Sequence, residues 1–267
     1  MTGEHPRTLA RVPYTYALAL RTRFRGITQR QGMVWRGSVG WAEWSPFLDY
    51  EGAEIVPWLR AADEAAEQGW PAPVREEVEV NVTVPAVGPA QAASIVSAAG
   101  CRTAKIKVAE PGQTLAHDLD RVAAVRAALG ASGRIRIDAN GAWDVEQATM
   151  ALTQLRRHDL EYAEQPCRTV DDLAALRVAL ARAGVDVPIA ADESIRRAVD
   201  PYLVARKQAA DIAVLKVQPL GGSARASRSP PRSACRWWCP APWRARSASP
   251  PGWRWPPRFR SCPMPVG

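Results

Sequence analysis

The feature that most constrains the fold is a strand–helix unit that repeats between residues 78 and 217. Short β-branched runs predict strands at Val78–Val84, Thr103–Val108, Arg134–Asp138, Tyr162–Glu164, Pro188–Ala191 and Ile212–Val217. Helical patterns separate these runs at Ala90–Ala99, Leu115–Leu129, Asp144–Arg157, Val170–Ala183 and Ala198–Arg206. This alternation predicts an α/β fold with a parallel sheet, and about six units indicate an incomplete (β/α)8 barrel. A doubly wound sheet is the alternative, although no Gly-x-Gly-x-x-Gly motif opens the first helix.

The residues before the repeat have a different pattern. Runs rich in Thr, Val, Trp and Tyr predict antiparallel strands at Tyr14–Arg21 and Gly32–Arg36, and Pro57–Gln68 is predicted to be a helix. The charged, proline-containing stretch Gly69–Glu77 is typical of a linker. We therefore predict three regions: an N-terminal α+β capping domain with its linker over residues 1–77, the truncated barrel over 78–222, and a tail over 223–267.

The tail differs in composition from the rest of the chain. It contains nine Arg, ten Pro and five Trp, with no Lys, Asp, Glu, Leu or Ile and no apolar periodicity. The whole chain has 35 basic and 27 acidic residues, a formal charge of +8. Without the nine tail arginines, 26 basic residues stand against 27 acidic ones, a charge of −1. The basic balance therefore belongs to the tail and does not indicate a nucleic-acid-binding surface.

Tryptophan has a single codon, so the tail tryptophans constrain the neighbouring reading frames. Starting each codon one base earlier across Arg236–Arg244 permits Val-Val-Val-Ser-Ser-Ala-Leu-Glu, and the same shift across Ser249–Phe259 permits a helix of small residues. One offset thus permits a strand, a loop and a helix in order. We interpret the irregular Arg/Pro/Trp-rich tail as out of frame after about Gly222 and predict that it is disordered. A genuine Arg/Pro-rich disordered extension is the alternative.

Charged and polar side chains recur where five successive predicted strands end. They are Lys105 and Lys107, Asp138 and Asn140, Glu164, Asp192 and Glu193, and Lys216. In a parallel barrel these ends converge on one side of the molecule, where active sites form. One such Asp alone is more often a helix cap, but the whole set favours a site. Lys105 and Lys107 also have the period-two spacing that places both side chains on one strand face.

The chemistry of this set points to a divalent cation. Carboxylates without a histidine form a hard-oxygen set that suits Mg²⁺ rather than Zn²⁺. Lysines from the second and sixth strands would face each other across the ion. Such an arrangement suits removal of a proton next to a carboxylate, because the metal stabilises the enediolate and a lysine acts as the base.

At these positions the chain resembles the enolase superfamily. The resemblance rests on Lys105-Ile-Lys107, Ile137-Asp-Ala-Asn140, Glu164-Gln-Pro166, Asp192-Glu-Ser194 and Leu215-Lys-Val-Gln218. The lysine pair opposite Lys216 is similar to the muconate-lactonising subgroup rather than to the branch with a histidine base. Within that subgroup, Phe24–Thr28, Gly40–Phe47 and Glu164–Cys167 resemble the short actinobacterial o-succinylbenzoate synthase family. The resemblance covers roughly residues 8–222, and the shifted reading of the tail resembles that family's seventh strand and loop.

The resemblance implies an Mg²⁺-dependent lyase of menaquinone biosynthesis, for which Mn²⁺ is a substitute metal. The reaction is dehydration of 2-succinyl-6-hydroxycyclohexa-2,4-diene-1-carboxylate to 2-succinylbenzoate. By position, the resemblance assigns the metal to three carboxylates: Asp138, Glu164 and Asp192.

The resemblance also assigns roles to the remaining polar residues. Lys107 would move the proton, and Lys216 would act from the other side of the substrate. Lys105 would bind the substrate carboxylate. Asn140 and Glu193 would support the metal ligands without binding the ion themselves.

Other interpretations stay open. An N-succinylamino acid racemase or dipeptide epimerase of the same superfamily would use the same two lysines for 1,1-proton transfer. The second alternative is a protein that is not an enzyme. It would be either a non-functional frameshift product or a nucleic-acid-binding derivative with a basic tail.

Cellular location and partners are predicted from composition. Only Cys101 and Cys167 lie outside the tail, no run of 18 apolar residues occurs, and Met1–Arg11 lacks the apolar core of a secretory signal. We therefore predict a cytoplasmic protein that binds a small-molecule carboxylate and neither nucleic acid nor a membrane. The sequence does not define an oligomeric state.

Overall fold

The structure is a computed structural model of the 267-residue chain. It describes residues 12–24, 26–73, 76–197, 202–226 and 236–238. The described residues form two compact units. One contains those of 1–72 and 217–228, and the other contains those of 73–216 and 229–267.

The first unit is built on an antiparallel sheet of three strands in chain order: β1 (Tyr14–Phe24), β2 (Ile27–Arg36) and β3 (Trp41–Trp44). A 3-10 turn (Gly52–Ile55) leads into helix α1 (Val56–Glu67), which has Pro57 in its first turn. Trp35 and Ala42 of the sheet form a buried cluster with Ala62 and Ala66 of α1. The predicted α+β character of this region is confirmed.

A glycine makes the close approach between the sheet and α1 feasible. A Cβ on Gly37 would lie 2.5 Å from the carbonyl oxygen of Ala66, which is too close for any side chain. The backbone nitrogens of Val39 and Gly40 donate to the same oxygen at 2.9 and 3.1 Å. The C-terminal turn of α1 is thereby fixed to the turn between β2 and β3.

The second unit contains a parallel sheet in which each strand pairs with the next one along the chain. Its strands are β4 (Val82–Val84), β5 (Thr103–Lys107), β6 (Arg134–Asp138), β7 (Leu160–Glu164), β8 (Ile189–Ala191), β9 (Ile212–Val214) and β10 (Arg236–Trp238). The connecting helices are α2 (Pro89–Ala99), α3 (Leu115–Leu129), α4 (Val145–Leu155), α5 (Val170–Arg182), α6 (Glu193–Arg196) and α7 (Leu203–Arg206). The predicted α/β fold with about six strand–helix units is confirmed.

Burial explains why these segments become a parallel sheet with helical crossovers. Ile106 on β5, Ile137 on β6 and Ile189 on β8 are fully buried, as expected for strands covered on both faces. Helices α4 and α5 begin at side-chain caps. For example, the carboxylate of Asp144 accepts from the backbone nitrogen of Gln147 at 2.8 Å at the start of α4.

Several element boundaries differ from the predicted ones. The last strand was predicted to reach Val217, but β9 ends at Val214 and a short helix, α8 (Val217–Leu220), follows. The strand ends early because its pairing with β8 ends at Ala213 and its pairing with β10 ends at Val214. Of the predicted helix Ala198–Arg206, residues 198–201 lie outside the described residues.

The predicted irregular tail differs from the structure in two short segments. Ser223–Ala226 forms helix α9, whose first backbone amide, that of Ser223, donates to the carboxylate of Glu64 on α1 at 2.7 Å. Arg236–Trp238 forms β10, which pairs in parallel with β9. Aromatic residues favour strands, and β9 offers backbone groups for pairing. The rest of the predicted tail lies outside the described residues.

The described residues leave the sheet open, since no pairing among them joins β4 to β10. None of the described helices is both long and apolar enough to cross a membrane. The sheet positions the candidate site through the ends of β5 to β9. We call this side, with the residues that follow each strand, the C-terminal rim.

Candidate active site

All eight predicted site residues lie at the C-terminal rim. They are the β5 residues Lys105 and Lys107, Asp138 and Asn140 after β6, Glu164 at the end of β7, Asp192 and Glu193 after β8, and Lys216 after β9. Strand register aligns them, because Lys107 is paired with Asp138 and Asp138 with Glu164. The expected convergence of strand ends therefore holds in the structure.

The two β5 lysines contact the carboxylates of the next two strands. The Nζ atom of Lys105 lies 2.6 Å from Oε1 of Glu164 and 2.9 Å from Oδ2 of Asp138. The Nζ atom of Lys107 lies 2.6 Å from the same Oδ2 atom of Asp138. Both side chains thus point to one face of β5, as their spacing predicts.

The carboxylate of Asp192 contacts a different pair of cations. Lys216 donates to its Oδ2 atom, and Nε of Arg196 donates to its Oδ1 atom at 2.8 Å. The guanidinium of Arg196 also contacts Glu193. Arg196 was not among the predicted site residues, although its position four residues after Asp192 is the spacing of neighbours on a helix.

Asn140 connects the proposed base on β5 to Glu193, which follows β8. Its side-chain Oδ1 accepts from Nζ of Lys107 at 2.6 Å, and its Nδ2 donates to Oε1 of Glu193 at 3.1 Å. Its backbone has a φ of +49°, a left-handed conformation that Asn tolerates better than most residues. The backbone nitrogen can then donate to Oδ1 of Asp138 at 3.1 Å. Asn140 therefore touches residues on both sides of the site.

Gln165 is a second residue whose role the sequence analysis missed, although it belongs to the Glu164-Gln165-Pro166 motif. Its side chain is fully buried and bonds to the segment that follows β8 and to the backbone oxygen of Cys167 in its own segment. Oε1 accepts from the backbone nitrogens of Asp192 at 2.9 Å and Ser194 at 3.1 Å. A buried Gln directly after an acidic residue at a strand end is the signal that would have identified it.

The charges at the rim balance. Four carboxylates, Asp138, Glu164, Asp192 and Glu193, face four cations, Lys105, Lys107, Arg196 and Lys216. The exposed fractions of the Asp138, Glu164 and Asp192 residues are 1%, 0% and 0%. Burial of so many charges is costly unless each is paired, so this balance is a condition for the fold itself.

The environment shifts the pKa values of the acids in opposite directions. Burial alone would raise the pKa of Asp138, but the charges of Lys105 and Lys107 outweigh it and hold this pKa well below its usual range. Burial raises the pKa of Glu164, and the neighbouring carboxylates of Asp138 and Asp192 add to the effect.

The shift at Lys105 has the same electrostatic origin. Burial alone would lower its pKa, but the charges of Asp138, Glu164 and Asp192 raise it well above the ordinary value. Lys105 is therefore a permanent cation at the centre of the rim, suited to binding an anion rather than to accepting a proton.

The donor set fits a divalent cation in its chemistry. Glu164 Oε2 and Glu193 Oε2 are buried and have no hydrogen-bond partner among the described residues. A buried carboxylate oxygen without a partner is costly, and a metal ion would satisfy it. Among the described residues, no group of three or more Asp, Glu, His or Cys side chains lies close enough together to bind a metal ion. The ammonium groups of Lys105 and Lys216 lie against the carboxylates instead.

Comparison with known families adds independent findings. A family described as "Enolase C-terminal domain-like" matches residues 89–229, and one described as "Enolase N-terminal domain-like" matches residues 15–66. The first match contains every candidate site residue. The second covers most of the described N-terminal region.

Among curated proteins, the chain is similar to o-succinylbenzoate synthases. The protein of Thermobifida fusca (strain YX) is 60% identical over 213 residues, which are 80% of this chain and 66% of that protein. That of Mycolicibacterium smegmatis (strain ATCC 700084 / mc(2)155) is 52% identical over 214 residues, covering 79% and 64%. The chain thus spans a little less than two thirds of the length of these relatives.

Among solved structures, the fold is similar to that of dipeptide epimerases. The Enterococcus faecalis V583 enzyme, complexed with Mg and the dipeptide L-Leu-L-Tyr, matches with a TM-score of 0.69 at 22% identity, over 86% of this chain and 81% of that one. The L-Ala-D/L-Glu epimerase of Bacillus subtilis matches with a TM-score of 0.67 at 23% identity, over 82% and 77%. At these identities the likeness concerns the fold alone.

Proposed function

The chain belongs to the enolase superfamily, and from that premise we propose that its rim is built for the o-succinylbenzoate synthase reaction. In that reaction 2-succinyl-6-hydroxycyclohexa-2,4-diene-1-carboxylate loses water and becomes 2-succinylbenzoate, a step of menaquinone biosynthesis. The observation that carries the proposal is the buried set in which lysines and carboxylates from five strand ends contact one another. The identity of 60% to a synthase supports this choice of reaction.

Asp138, Glu164 and Asp192 would hold the metal in this proposal. We favour Mg²⁺, with Mn²⁺ as a substitute, because the donors are carboxylate oxygens and include no nitrogen or sulfur. When bound, the ion supplies positive charge that stabilises the substrate carboxylate as negative charge develops on it. Asn140 and Glu193 would hold the surrounding side chains in place, through the hydrogen bond between them.

The lysines would carry out the proton chemistry. In its neutral amine form, Lys107 takes the proton from the carbon next to the carboxylate, the electron pair of that bond forms the new double bond, and the carbon–oxygen bond to the hydroxyl group breaks. The proton leaves with the hydroxyl group as water. Lys216 faces the substrate from the opposite strand end and stabilises the negative charge that forms. Lys105 binds the substrate carboxylate.

The charge balance at the rim fits this substrate. The protein's own four carboxylates and four cations cancel. A divalent cation adds two positive charges, and the proposed substrate brings two carboxylates. The complete site would therefore be close to neutral, which reduces the cost of closing it from water. A dipeptide zwitterion with uncharged side chains has no net charge and would leave the two positive charges of the ion uncompensated.

We further propose that the chain is read out of frame after about Gly222 and that, as it stands, it turns over the substrate slowly or not at all. The curated matches extend over 78 to 80% of the chain, which leaves about a fifth of it unmatched. The unusual composition of the tail supports the same interpretation. In this proposal the protein binds a small-molecule carboxylate as its substrate. Its proposed location is the cytoplasm.

The test is a side-by-side assay of the 267-residue chain and a version with the frame restored by one base. We expect dehydration of the cyclohexadiene substrate, followed by the ultraviolet absorbance of the aromatic product, to be strong only in the restored version. N-succinylamino acids and dipeptides serve as control substrates for racemisation. Faster racemisation than dehydration would favour the racemase or epimerase alternative. A fully active 267-residue chain would refute the frameshift.

A further inference from the structure

Gln165 lies between two proposed metal ligands and has no part in the chemistry above. It directly follows Glu164 at the end of β7, and its side chain reaches the backbone of Asp192 after β8. The residue is fully buried, so its polar atoms depend entirely on protein partners.

Every hydrogen-bonding position of the Gln165 carboxamide is used. Oε1 accepts from the backbone nitrogens of Asp192 and Ser194 at 2.9 and 3.1 Å. Nε2 donates to the backbone oxygen of Cys167 at 2.9 Å and to Oγ of Ser194 at 2.6 Å. Two acceptor and two donor contacts are the full capacity of an amide side chain, so its position is fixed from four directions.

The backbone of Gln165 makes a further pair of connections. Its nitrogen donates to the carbonyl oxygen of Ala190 in β8 at 2.7 Å, and its carbonyl oxygen accepts from Gly141, after β6, at 2.6 Å. Its φ of +40° is one that residues with a side chain rarely adopt. This single residue thus bonds to the segments that carry Asp138 and Asp192, while it adjoins Glu164.

These connections matter because the rim consists of two halves. In the first half, Lys105 and Lys107 neutralise Asp138 and Glu164. The second half consists of the acids Asp192 and Glu193 and the cations Arg196 and Lys216. Each half is neutral by itself, and two amide side chains connect the halves. Asn140 joins Lys107 to Glu193, and Gln165 joins the segment of Glu164 to the backbone of Asp192. The spacing of Glu164 and Asp192 therefore depends most directly on the carboxamide of Gln165.

We propose that Gln165 is a positioning residue that sets the spacing of Glu164 and Asp192 and thereby the affinity and size selectivity of the divalent-cation site. The inference rests on the proposed metal ligands and deepens that assignment. Mg²⁺ requires near-octahedral oxygen ligands at about 2.0–2.1 Å, whereas Ca²⁺ accepts a looser set at about 2.3–2.6 Å. Loosening the bridge between the two halves therefore weakens Mg²⁺ binding more than Ca²⁺ binding.

The test measures metal binding rather than turnover. Gln165→Met preserves the length of the side chain but removes all four of its hydrogen bonds, and Ser194→Ala removes only the bond to Oγ of Ser194. Calorimetric titration of Mg²⁺ and Ca²⁺ is carried out on the 267-residue chain and on the frame-restored version. We expect Gln165→Met to raise the Kd for Mg²⁺ by about 10- to 100-fold, and Ser194→Ala to raise it by a smaller factor. The ratio of Ca²⁺ to Mg²⁺ affinity increases in both variants.

Thr169→Ala is the matched control. The Thr169 hydroxyl caps α5 by accepting from the backbone nitrogen of Asp172 at 3.0 Å, and its loss lowers thermal stability without touching a proposed ligand. We expect a lower Tm in this variant, with an unchanged ratio of Ca²⁺ to Mg²⁺ affinity.

The outcomes separate this inference from the proposed function. If Gln165→Met lowers only Tm, as the control does, and leaves the affinity ratio unchanged, Gln165 is a structural residue and the inference is wrong. Ser194→Ala decides the same question if Gln165→Met does not fold. Normal Mg²⁺ binding without dehydration in the frame-restored version counts against the proposed reaction alone. Wild-type protein that binds no divalent cation would overturn the metal ligands and this inference together.

Discussion

The two ends of the parallel sheet both carry ion pairs, but the pairs are arranged differently. At the C-terminal rim the charged groups are buried and shared, so that Asp138 contacts two lysines. Where the strands begin, which we call the N-terminal rim, ion pairs join arginines to single carboxylates. Arg136 contacts Glu161 at 2.5 Å, and Arg177 contacts Asp211.

Exposure is the second difference between the rims. The side chains of Arg177 and Asp211 are 32% and 37% exposed, whereas those of Asp138 and Asp192 are each 1% exposed. Exposed ion pairs contribute little stability, and buried charges cost free energy unless they are paired. The C-terminal rim therefore buries its carboxylates at a cost, whereas the carboxylates Glu161 and Asp211 at the N-terminal rim stay 32% and 37% exposed. Chemistry at the C-terminal rim is the reason we infer for that cost.

The largest effect is expected from the proposed base. Lys107→Ala in the frame-restored protein should lower the dehydration rate by about 10³- to 10⁴-fold, because no other group replaces the proton acceptor. Mg²⁺ binding should remain largely intact. Lys216→Ala should also lower the rate severely, since the negative charge that forms loses its facing cation. Steady-state kinetics measures both, and near-wild-type turnover in either variant would disprove the assigned pair.

A metal ligand should give the next largest effect. Asp192→Asn should weaken Mg²⁺ binding and reduce turnover by roughly 10²-fold or more, because the ion loses a charged oxygen ligand. Asp211→Asn provides the control at the N-terminal rim and should leave both quantities unchanged. Titration calorimetry and turnover in the presence of EDTA measure the difference. Activity that persists in EDTA would rule out a metal-dependent mechanism.

A structural ion pair close to the C-terminal rim sharpens the comparison. Arg121 is buried and donates to Asp118 at 2.7 Å, to the backbone oxygen of Lys107 at 2.9 Å and to that of Val87 at 2.7 Å. Arg121→Met leaves Asp118 buried without this cation, and we expect the free energy of unfolding to fall by about 3–5 kcal/mol. Urea denaturation monitored by circular dichroism measures this. A decrease in unfolding free energy of less than about 1 kcal/mol would mean that buried ion pairs are no more important for stability than the exposed pairs of the N-terminal rim.

The smallest effect is expected at the N-terminal rim. Arg177→Ala removes a partly exposed contact with Asp211 and should cost less than about 1 kcal/mol of unfolding free energy, with turnover unchanged. The difference from wild type should shrink further at high salt, because exposed pairs are screened. A loss comparable with that of Arg121→Met, under the same urea protocol, would erase the distinction between the two rims.

The sequence predicts the sheet and the convergence of its charged ends well, for a physical reason. Arg134–Asp138 is bounded as predicted because its alternating Ile residues are fully buried and Gly133 precedes it. Asp138 and Glu164 meet because parallel register places the ends of adjacent strands side by side. The alternation of apolar residues and the alignment of strand ends in a parallel sheet are sufficient to predict these features.

Other features depend on backbone geometry that no local pattern specifies. Gln165 reaches β8 only from a left-handed backbone conformation, and Arg196 reaches Asp192 only because a four-residue helix begins there. Similarly, β9 contains three residues because pairing with its neighbours, rather than propensity, determines its end. The residues that act as partners of the predicted site were therefore harder to identify than the site itself.

The division of the rim into two neutral halves also bears on how a nascent chain acquires its site. Synthesis proceeds from the N-terminus, so Lys105, Lys107, Asp138 and Glu164 all leave the ribosome before Asp192 and the cations that follow it. The earlier group can bury itself as a compensated set without waiting for Lys216. The later group brings its own cations within 24 residues of Asp192. If the chain folds as it is synthesised, each group of charges can therefore be buried together with its own counter-charges.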